Sequence, residues 1–151
     1  MKKFHLKFKY LPPPGVRKKP LPQGVKLFPF LPLRLSFKGN KTPYIEGLLD
    51  SGSDGLLIPK QIADFLGLPD LGDANSSGVG GKFKGHQTQV ELSIGRGGRE
   101  IQFGLVMAYV PNQVQDIPLL VGRTPVFDEF QVIFEEFNNM FHLVPKEKSL
   151  K

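Results

Sequence analysis

Cysteine is absent from the chain of 151 residues. Disulfide bonds and thiolate metal sites are therefore excluded, which suits a reducing compartment. The three histidines, His5, His86 and His142, stand far apart and lack the spacing of metal ligands, so ordinary surface or packing roles explain them. We predict that the protein holds no metal and no cofactor, and that it is cytoplasmic.

Long apolar runs are absent as well. No stretch approaches the roughly 20 apolar residues that a membrane-spanning helix needs. The basic start of the chain, residues 1–9, has the charge of a signal peptide. Lys7, Lys9 and the three prolines at 12–14 interrupt the apolar region that would have to follow. The sequence therefore predicts a soluble protein without a membrane partner.

Acidic residues are absent from residues 1–26, which contain eight of the twenty lysine and arginine residues. The rest of the chain has twelve basic and fourteen acidic residues, so this basic, proline-rich arm accounts for the formal net charge of +6. Such an arm could contact nucleic acid, but it lacks the aromatic and glycine-rich signature of RNA-binding segments. We interpret it as a solvated tail or as an edge strand kept soluble by lysine, and we expect no nucleic-acid partner.

Proline and glycine are abundant instead, at fourteen and seventeen residues, which favours short strands and tight turns over long helices. Alternation of apolar and polar side chains, or a short apolar run, predicts strands at 4–10, 31–37, 44–49, 90–94, 101–107, 117–121, 131–137 and 140–144. A helix is predicted from Pro59 to Gly67, and a second short helix near residues 125–130. Residues 70–86 show no clear pattern.

These elements predict a mostly β protein, a small and partly closed barrel or a sandwich, with one or two short helices. A chain of this length can bury one core but not two of ordinary size. We therefore divide it into the basic arm at residues 1–26, which could add an edge strand, and a single domain at residues 27–151.

The strand predicted at residues 44–49 runs directly into Asp50, which is followed by Ser51 and Gly52. Hydrolysis of an amide without a metal needs a base that activates water and an acid for the carbonyl oxygen or the leaving nitrogen. Two carboxylates that share one proton can supply both. A carboxylate at a strand end, followed by small residues that let two backbones approach closely, meets this requirement. Asp-Ser-Gly is also an ordinary turn sequence.

Two motifs together give the sequence a resemblance to a known protein family. The run from Leu49 to Asp54 resembles the D-[ST]-G-[AS] signature of aspartic peptidases, and the following Leu-Leu-Ile-Pro and helix are similar to bacterial and retrotransposon sequences of the retropepsin-like (retroviral-type) family. About seventy residues later, the run from Leu119 to Arg123 resembles the second motif of that family, which is two or three apolar residues, glycine and often arginine. The resemblance covers roughly residues 28–145.

The resemblance implies an acid-protease-type β-barrel that forms one lobe per chain, and an aspartic endopeptidase. Asp50 would be the catalytic carboxylate. Ser51 would form a hydrogen bond across to a partner chain, and Gly52 would permit close approach and line the substrate backbone. Asp54 would pair with Arg123 and brace the site.

Two further parts of the site are implied in the same way. Gly122 belongs to the segment that threads the loop around the active-site strand in this family. A flap over the substrate would include Gly78, Val79, Gly80, Gly81, Lys82 and Phe83, with its tip at either residues 78–81 or residues 82–85. A phosphate-binding P-loop does not explain residues 78–85, because serine stands where its first glycine would fall. Ser51 also lies outside a G-x-S-x-G elbow, which argues against a serine hydrolase.

Only one Asp-Ser-Gly occurs in the chain, at Asp50. A mechanism with two carboxylates then needs a second copy, and a C₂ homodimer acting on a protein or peptide substrate is the economical answer. A catalytically silent dimerisation or peptide-binding module of the same fold is an alternative. In a third hypothesis the basic arm has the main function, which is to bind nucleic acid and bring the barrel to it.

Overall fold

The structure, a computed structural model, describes residues 5–78, 81–112 and 116–146, and of residues 76–78 and 81–83 it describes the backbone only. The strands are β1 (Leu6–Lys9), β2 (Phe30–Phe37), β3 (Asn40–Lys41), β4 (Ile45–Leu49), β5 (Leu56–Leu57), β6 (Asp73–Gly78), β7 (Gly81–Ile94), β8 (Ile101–Pro111), β9 (Leu120–Val121), β10 (Phe130–Glu135) and β11 (Met140–Pro145). The helix α1 spans Lys60–Leu66, and short helical turns span Pro14–Val16, Arg123–Phe127 and Glu136–Asn138.

Six strands close into a barrel. β2 pairs antiparallel with β4, β4 runs parallel to β9, and β9 pairs antiparallel with β5. β5 runs parallel to β8, β8 pairs antiparallel with β7, and β7 returns to β2. Because the last strand pairs with the first, these strands leave no open edge between them. The predicted mostly β fold with a small barrel and short helices is confirmed.

The barrel core follows from alternation along two long strands. β2 and β7 pair through Leu33 with Ile94 and through Leu35 with Leu92. The inward side chains of these strands are at most 2 % exposed: Leu31, Leu33, Leu35, Val90, Leu92 and Ile94. Burial of each such side chain contributes about 1.5–3 kcal/mol, so this layer is a main source of stability.

A second, three-stranded sheet joins the two ends of the described chain. β1 pairs antiparallel with β11, which pairs antiparallel with β10. Phe141 of β11 is fully buried, and its ring centroid lies 5.2 Å from that of Phe8 and 6.3 Å from that of Tyr10. The start of the arm is therefore packed against the C-terminal hairpin. The division of the chain at residue 26 remains a prediction.

Other elements differ in detail from the sequence predictions. Residues 73–86, which fall in the patternless stretch, form a hairpin of β6 with β7 whose pairs run from Asp73–His86 to Gly78–Gly81. A polar hairpin held by backbone hydrogen bonds needs no apolar alternation, which explains the missing signal. The strands predicted at 131–137 and 140–144 leave two residues between them, whereas in the structure β10 and β11 are joined by the helical turn at Glu136–Asn138 and by Asn139 (φ 53°).

The helix α1 agrees with its predicted end. Gly67 follows it in the left-handed region (φ 69°), where its N–H donates to the carbonyl oxygen of Asp64 (3.2 Å) and the N–H of Leu68 donates to that of Ala63 (3.0 Å). Leu66 packs into the core, whereas Phe65 is 64 % exposed. Among the described residues, no helix has the length and apolar character that crossing a bilayer would require.

Candidate active site

Asp50 stands at the C-terminal end of β4. Its N–H donates to the carbonyl oxygen of Val121 (3.0 Å), which continues the parallel pairing of Leu48 with Leu120 and Leu49 with Val121. Leu49 points into the core and is 5 % exposed. Because side chains alternate along a strand, Leu48 and Asp50 share the opposite, outer face of the barrel. The carboxylate is thus half-buried at the surface of a rigid element.

The loop after Asp50 orients this carboxylate. The N–H of Gly52 donates to Asp50 Oδ1 (2.9 Å), and the N–H of Ser53 donates to the Asp50 carbonyl oxygen (3.1 Å). This is the turn that Asp favours, in which a side-chain oxygen binds the backbone two residues further on. Ser51 and Gly52 are exposed at the tip of the loop. A Cβ at residue 52 would lie 3.2 Å from Asp50 Oδ1, so a larger residue would crowd the carboxylate.

The second motif packs directly against this loop. The N–H of Arg123 donates to the carbonyl oxygen of Ser53, and the N–H of Thr124 donates to that of Asp54, both at 2.9 Å. Gly122 passes so close that a Cβ there would lie 2.3 Å from the Ser53 carbonyl oxygen and 2.6 Å from that of Gly55. Only glycine fits this crossing. The two motifs of the sequence therefore meet as one structural unit.

An ion pair spans the same two segments. Arg123 Nη2 lies 3.1 Å from Asp54 Oδ1, and the two side chains are 63 % and 95 % exposed. Solvent screens such a pair, so it contributes little to stability in a single chain. The structure therefore brings Asp54 and Arg123 together beside Asp50, at the surface and outside the core.

The residues assigned to the flap lie on the β6–β7 hairpin. Val79 and Gly80 fall outside the described residues, as do the side chains of Lys82 and Phe83. The described pairing of this hairpin ends at Gly78 with Gly81. Which residues would contact a ligand there stays a prediction.

An apolar row runs across the outer face beneath Asp50. Neighbouring strands place Phe30 beside Leu48, Leu48 beside Leu120, Leu120 beside Leu57, and Leu57 beside Tyr109. Residues paired in register project to the same face, so the five side chains form a continuous strip. The sequence analysis missed this row, although the alternation of β4 already placed Leu48 on the same face as Asp50.

A depression lies at each end of the row. The first, which we call the polar cleft, has a volume of about 370 Å³ and a mixed lining. Half of its lining residues carry hydrogen-bonding side chains, namely Ser53, Asp54, Asn75, Gln87, Tyr109 and Thr124, and the other half are apolar residues or glycine. The second, which we call the apolar groove, encloses about 570 Å³ and is lined mainly by apolar side chains, among them Pro14, Phe28, Phe30, Tyr44, Leu48 and Pro118. The lining of the apolar groove is the more strongly apolar of the two.

A histidine pair occupies the three-stranded sheet, away from these residues in sequence. His5 Nε2 lies 3.0 Å from Nδ1 of the buried His142, whose Nε2 lies 3.1 Å from Glu135 Oε2 without the alignment of a hydrogen bond. A hydrogen bond from Asn138 lowers the pKa of Glu135, and His142 and Lys7 act in the same direction. The pair escaped the sequence analysis because 137 positions separate its members. Within the described part of the chain, no group of three or more His, Cys, Asp or Glu side chains is placed so that it could hold a metal ion.

Comparison with known proteins supports the fold. No protein-family model matches the chain, and no curated protein matches it. Among solved structures it is similar to a retropepsin-like aspartic protease from Rickettsia conorii, with a TM-score of 0.54, 11 % identity, and coverage of 96 % of this chain and 95 % of that one. EIAV protease in complex with the inhibitor HBY-793 matches with a TM-score of 0.42 and 16 % identity, over 72 % of this chain and 93 % of that one. On the first of these likenesses, the chain has the fold of a retropepsin-like aspartic protease.

Proposed function

We propose that the protein is an aspartic endopeptidase of the retropepsin-like family, which cuts peptide bonds between the Asp50 carboxylates of two identical chains. The observation that carries the proposal is the position of Asp50. Asp50 lies at the end of a barrel strand, and its carboxylate faces outward. The N–H of Gly52 orients this carboxylate, and the backbone at Gly122 packs against the loop that follows it. An aspartate with a purely structural role would lie buried and would not face outward.

The proposed reaction uses one ionised and one protonated carboxyl group. The ionised Asp50 takes a proton from water, and the water oxygen attacks the carbonyl carbon of the peptide. The protonated Asp50 of the other chain donates to the carbonyl oxygen, which becomes a hydroxyl in the tetrahedral intermediate. The Asp50 that took the proton from water then gives it to the amide nitrogen, and the C–N bond breaks. A hydroxyl of the intermediate returns a proton to the other Asp50, so a carboxylic acid and an amine leave and the pair is restored.

The dimer supplies the second carboxylate. Each chain offers one Asp50 on a loop whose tip, Ser51 and Gly52, is small and exposed, which suits close contact with a symmetry mate. In a C₂ pair each group that one chain presents is met by the same group of the other. Ser51 would donate across this contact, and the exposed Arg123 and Asp54 would brace the loop once the partner excludes water from them.

The substrate is an extended peptide. The apolar row beneath Asp50 gives it a floor, the polar cleft and the apolar groove receive its side chains, and the β6–β7 hairpin, residues 78–83, covers it as a flap. Extended peptides bind in this way because their side chains alternate and enter separate pockets.

Cleavage of a broad peptide library, read by mass spectrometry from acidic to neutral pH, tests the proposal. The native protein is compared with Asp50→Asn and with Asp64→Asn, a matched change at an exposed helix residue paired with Lys60. Cuts made by the native and Asp64→Asn proteins but not by Asp50→Asn support it. If none of the three cuts while all are folded dimers, the protein is a silent dimerisation or peptide-binding module instead.

A further inference from the structure

The β6–β7 hairpin leaves the barrel at the paired residues Ala74 and Gly85. β7 pairs with β8 only as far as Gly85, which lies opposite Pro111. Beyond it, the described residues of β7 pair with β6 and with no other strand, and the N–H of Asn112 donates to the carbonyl oxygen of Lys84 (2.9 Å). A two-stranded hairpin with so little support from neighbouring strands is marginally stable, so this one can move about its base.

The hydroxyl of Tyr109, on β8, touches both residues at this base. It donates toward the carbonyl oxygen of Ala74, at 3.4 Å. A Cβ at residue 85 would lie 2.7 Å from the same hydroxyl and 2.2 Å from the carbonyl oxygen of Val110. Gly85 is buried, so the hydroxyl occupies the space that a side chain there would take. Glycine in a strand often marks such a close approach.

The tyrosine also lies where the hairpin and the loop after Asp50 border one another. Ser53 of the loop and Ala74 and Asn75 of the hairpin line the polar cleft together with Tyr109. The width of this cleft therefore depends on the angle at which the hairpin leaves its base. A contact at that base controls how closely the hairpin stands to the catalytic loop.

The strength of the contacts changes along the root of the hairpin. The N–H of Leu71 donates to the carbonyl oxygen of Gln87, and the N–H of Gln87 donates to that of Gly72, both at 2.9 Å. The contact of Tyr109 with Ala74 is longer than the usual O–H···O range of about 2.5–3.0 Å, so it breaks and re-forms easily. The hairpin thus has a firm root and, next to it, a contact weak enough to serve a hinge.

We propose that Tyr109 is a positioning residue for the flap, whose hydroxyl sets the angle of the β6–β7 hairpin at the Ala74–Gly85 pair. The inference rests on the proposed function, in which this hairpin covers the substrate, and deepens it. Tyr109 takes no part in the chemistry. It raises the fraction of free protein whose hairpin is ready to close, and a substrate that binds only this arrangement binds more weakly as that fraction falls.

The test is Tyr109→Phe, which removes the hydroxyl and keeps the ring. For a peptide cut by the native protein, KM should rise by about threefold or more, as the loss of one hydrogen bond allows. The kcat should change by less than about twofold, because bound substrate holds the hairpin closed in both proteins. In the free protein, amide hydrogen exchange at residues 73–78 and 81–86 should become about threefold faster or more, with the rest of the barrel unchanged.

Tyr10→Phe is the matched control. It removes a hydroxyl that interacts with Glu136 in the three-stranded sheet, and it should leave KM and the exchange of the hairpin at their native values. The exchange measurement separates the proposed role from two others. A higher KM with unchanged exchange would mean that Tyr109 contacts the substrate directly, and faster exchange throughout the barrel would mean a general role in stability. Either result overturns the inference.

The outcome also separates this inference from the function on which it rests. Cleavage with the native KM and the native exchange in Tyr109→Phe overturns the inference and leaves the proposed function standing. No cleavage of any peptide by any of the folded proteins overturns the proposed function, and the role of Tyr109 in a flap with it.

Discussion

The backbone of Gly122 crosses the loop of Ser53 so closely that a Cβ at residue 122 would lie 2.3 Å from the Ser53 carbonyl oxygen. The crossing joins the two sequence motifs, which are otherwise distant in the chain. The N–H of Arg123 donates to that same oxygen at 2.9 Å, so backbone contacts hold the loop that orients Asp50.

Gly122→Ala should therefore destabilise the protein by about 1–3 kcal/mol, as overpacking does, because backbone atoms on both sides must shift. The loss of activity should be larger than this destabilisation explains, since the shift moves Asp50. Urea unfolding and kcat/KM measured on the folded fraction test both statements. Gly15→Ala, at a position where a Cβ would meet nothing within 4 Å, is the control and should change neither.

Arg123→Ala separates a role in the site from a role in stability. The Arg123 and Asp54 side chains are largely exposed, so the midpoint of thermal unfolding should change little. If the pair braces the loop in a dimer, kcat/KM should fall by about tenfold or more, and the dimer should dissociate at higher protein concentration. Asp64→Asn breaks the exposed Lys60–Asp64 pair and serves as the control. Unchanged activity and dimerisation in Arg123→Ala would remove the proposed role.

Acid should destabilise the three-stranded sheet through Glu135. The Asn138 hydrogen bond, assisted by His142, lowers the pKa of Glu135 from its ordinary value of 4.5. The unfolded state therefore binds the proton more readily, so the stabilisation is present above about pH 4.5 and is lost as the pH falls through the lowered pKa. Glu135→Gln should flatten the fall of unfolding free energy below pH 4.5, and Asn138→Ala should reproduce part of the change. A profile identical to that of the native protein would contradict this account.

The arm should contribute to folding through β1. Leu6 is 2 % exposed and pairs with the buried Leu143 of β11. Leu6→Ala should cost about 2–5 kcal/mol of unfolding free energy, as expected for a leucine removed from a packed core. Leu21→Ala, at an arm residue that is 39 % exposed, should cost far less. Equal and negligible effects of both changes would mean that the whole arm is a solvated tail.

Much of the fold could be predicted because local patterns decide it. Alternation along β2 predicted the buried face that Leu31, Leu33 and Leu35 form. Gly67 predicted the end of α1, since few other residues adopt its left-handed backbone at no cost. The mostly β barrel follows from such short-range signals summed along the chain.

The arrangement of the site could be predicted only in part. Asp50 was singled out by its position at a strand end and by the family resemblance, and Gly122 by the resemblance alone; in the structure their segments are in contact. The apolar groove and the His5–His142 pair could not be found in this way. Each joins the start of the chain to a distant segment, and no local pattern encodes which distant side chains will meet.

The central claim is that one active site needs Asp50 from two chains. Native protein is mixed with increasing amounts of Asp50→Asn protein under conditions that exchange subunits, and peptide cleavage is measured at a constant total concentration. If both carboxylates are required, activity should fall as the square of the native fraction, because only native–native dimers cut. Activity proportional to the native fraction itself would show that a single Asp50 suffices, and would contradict the account.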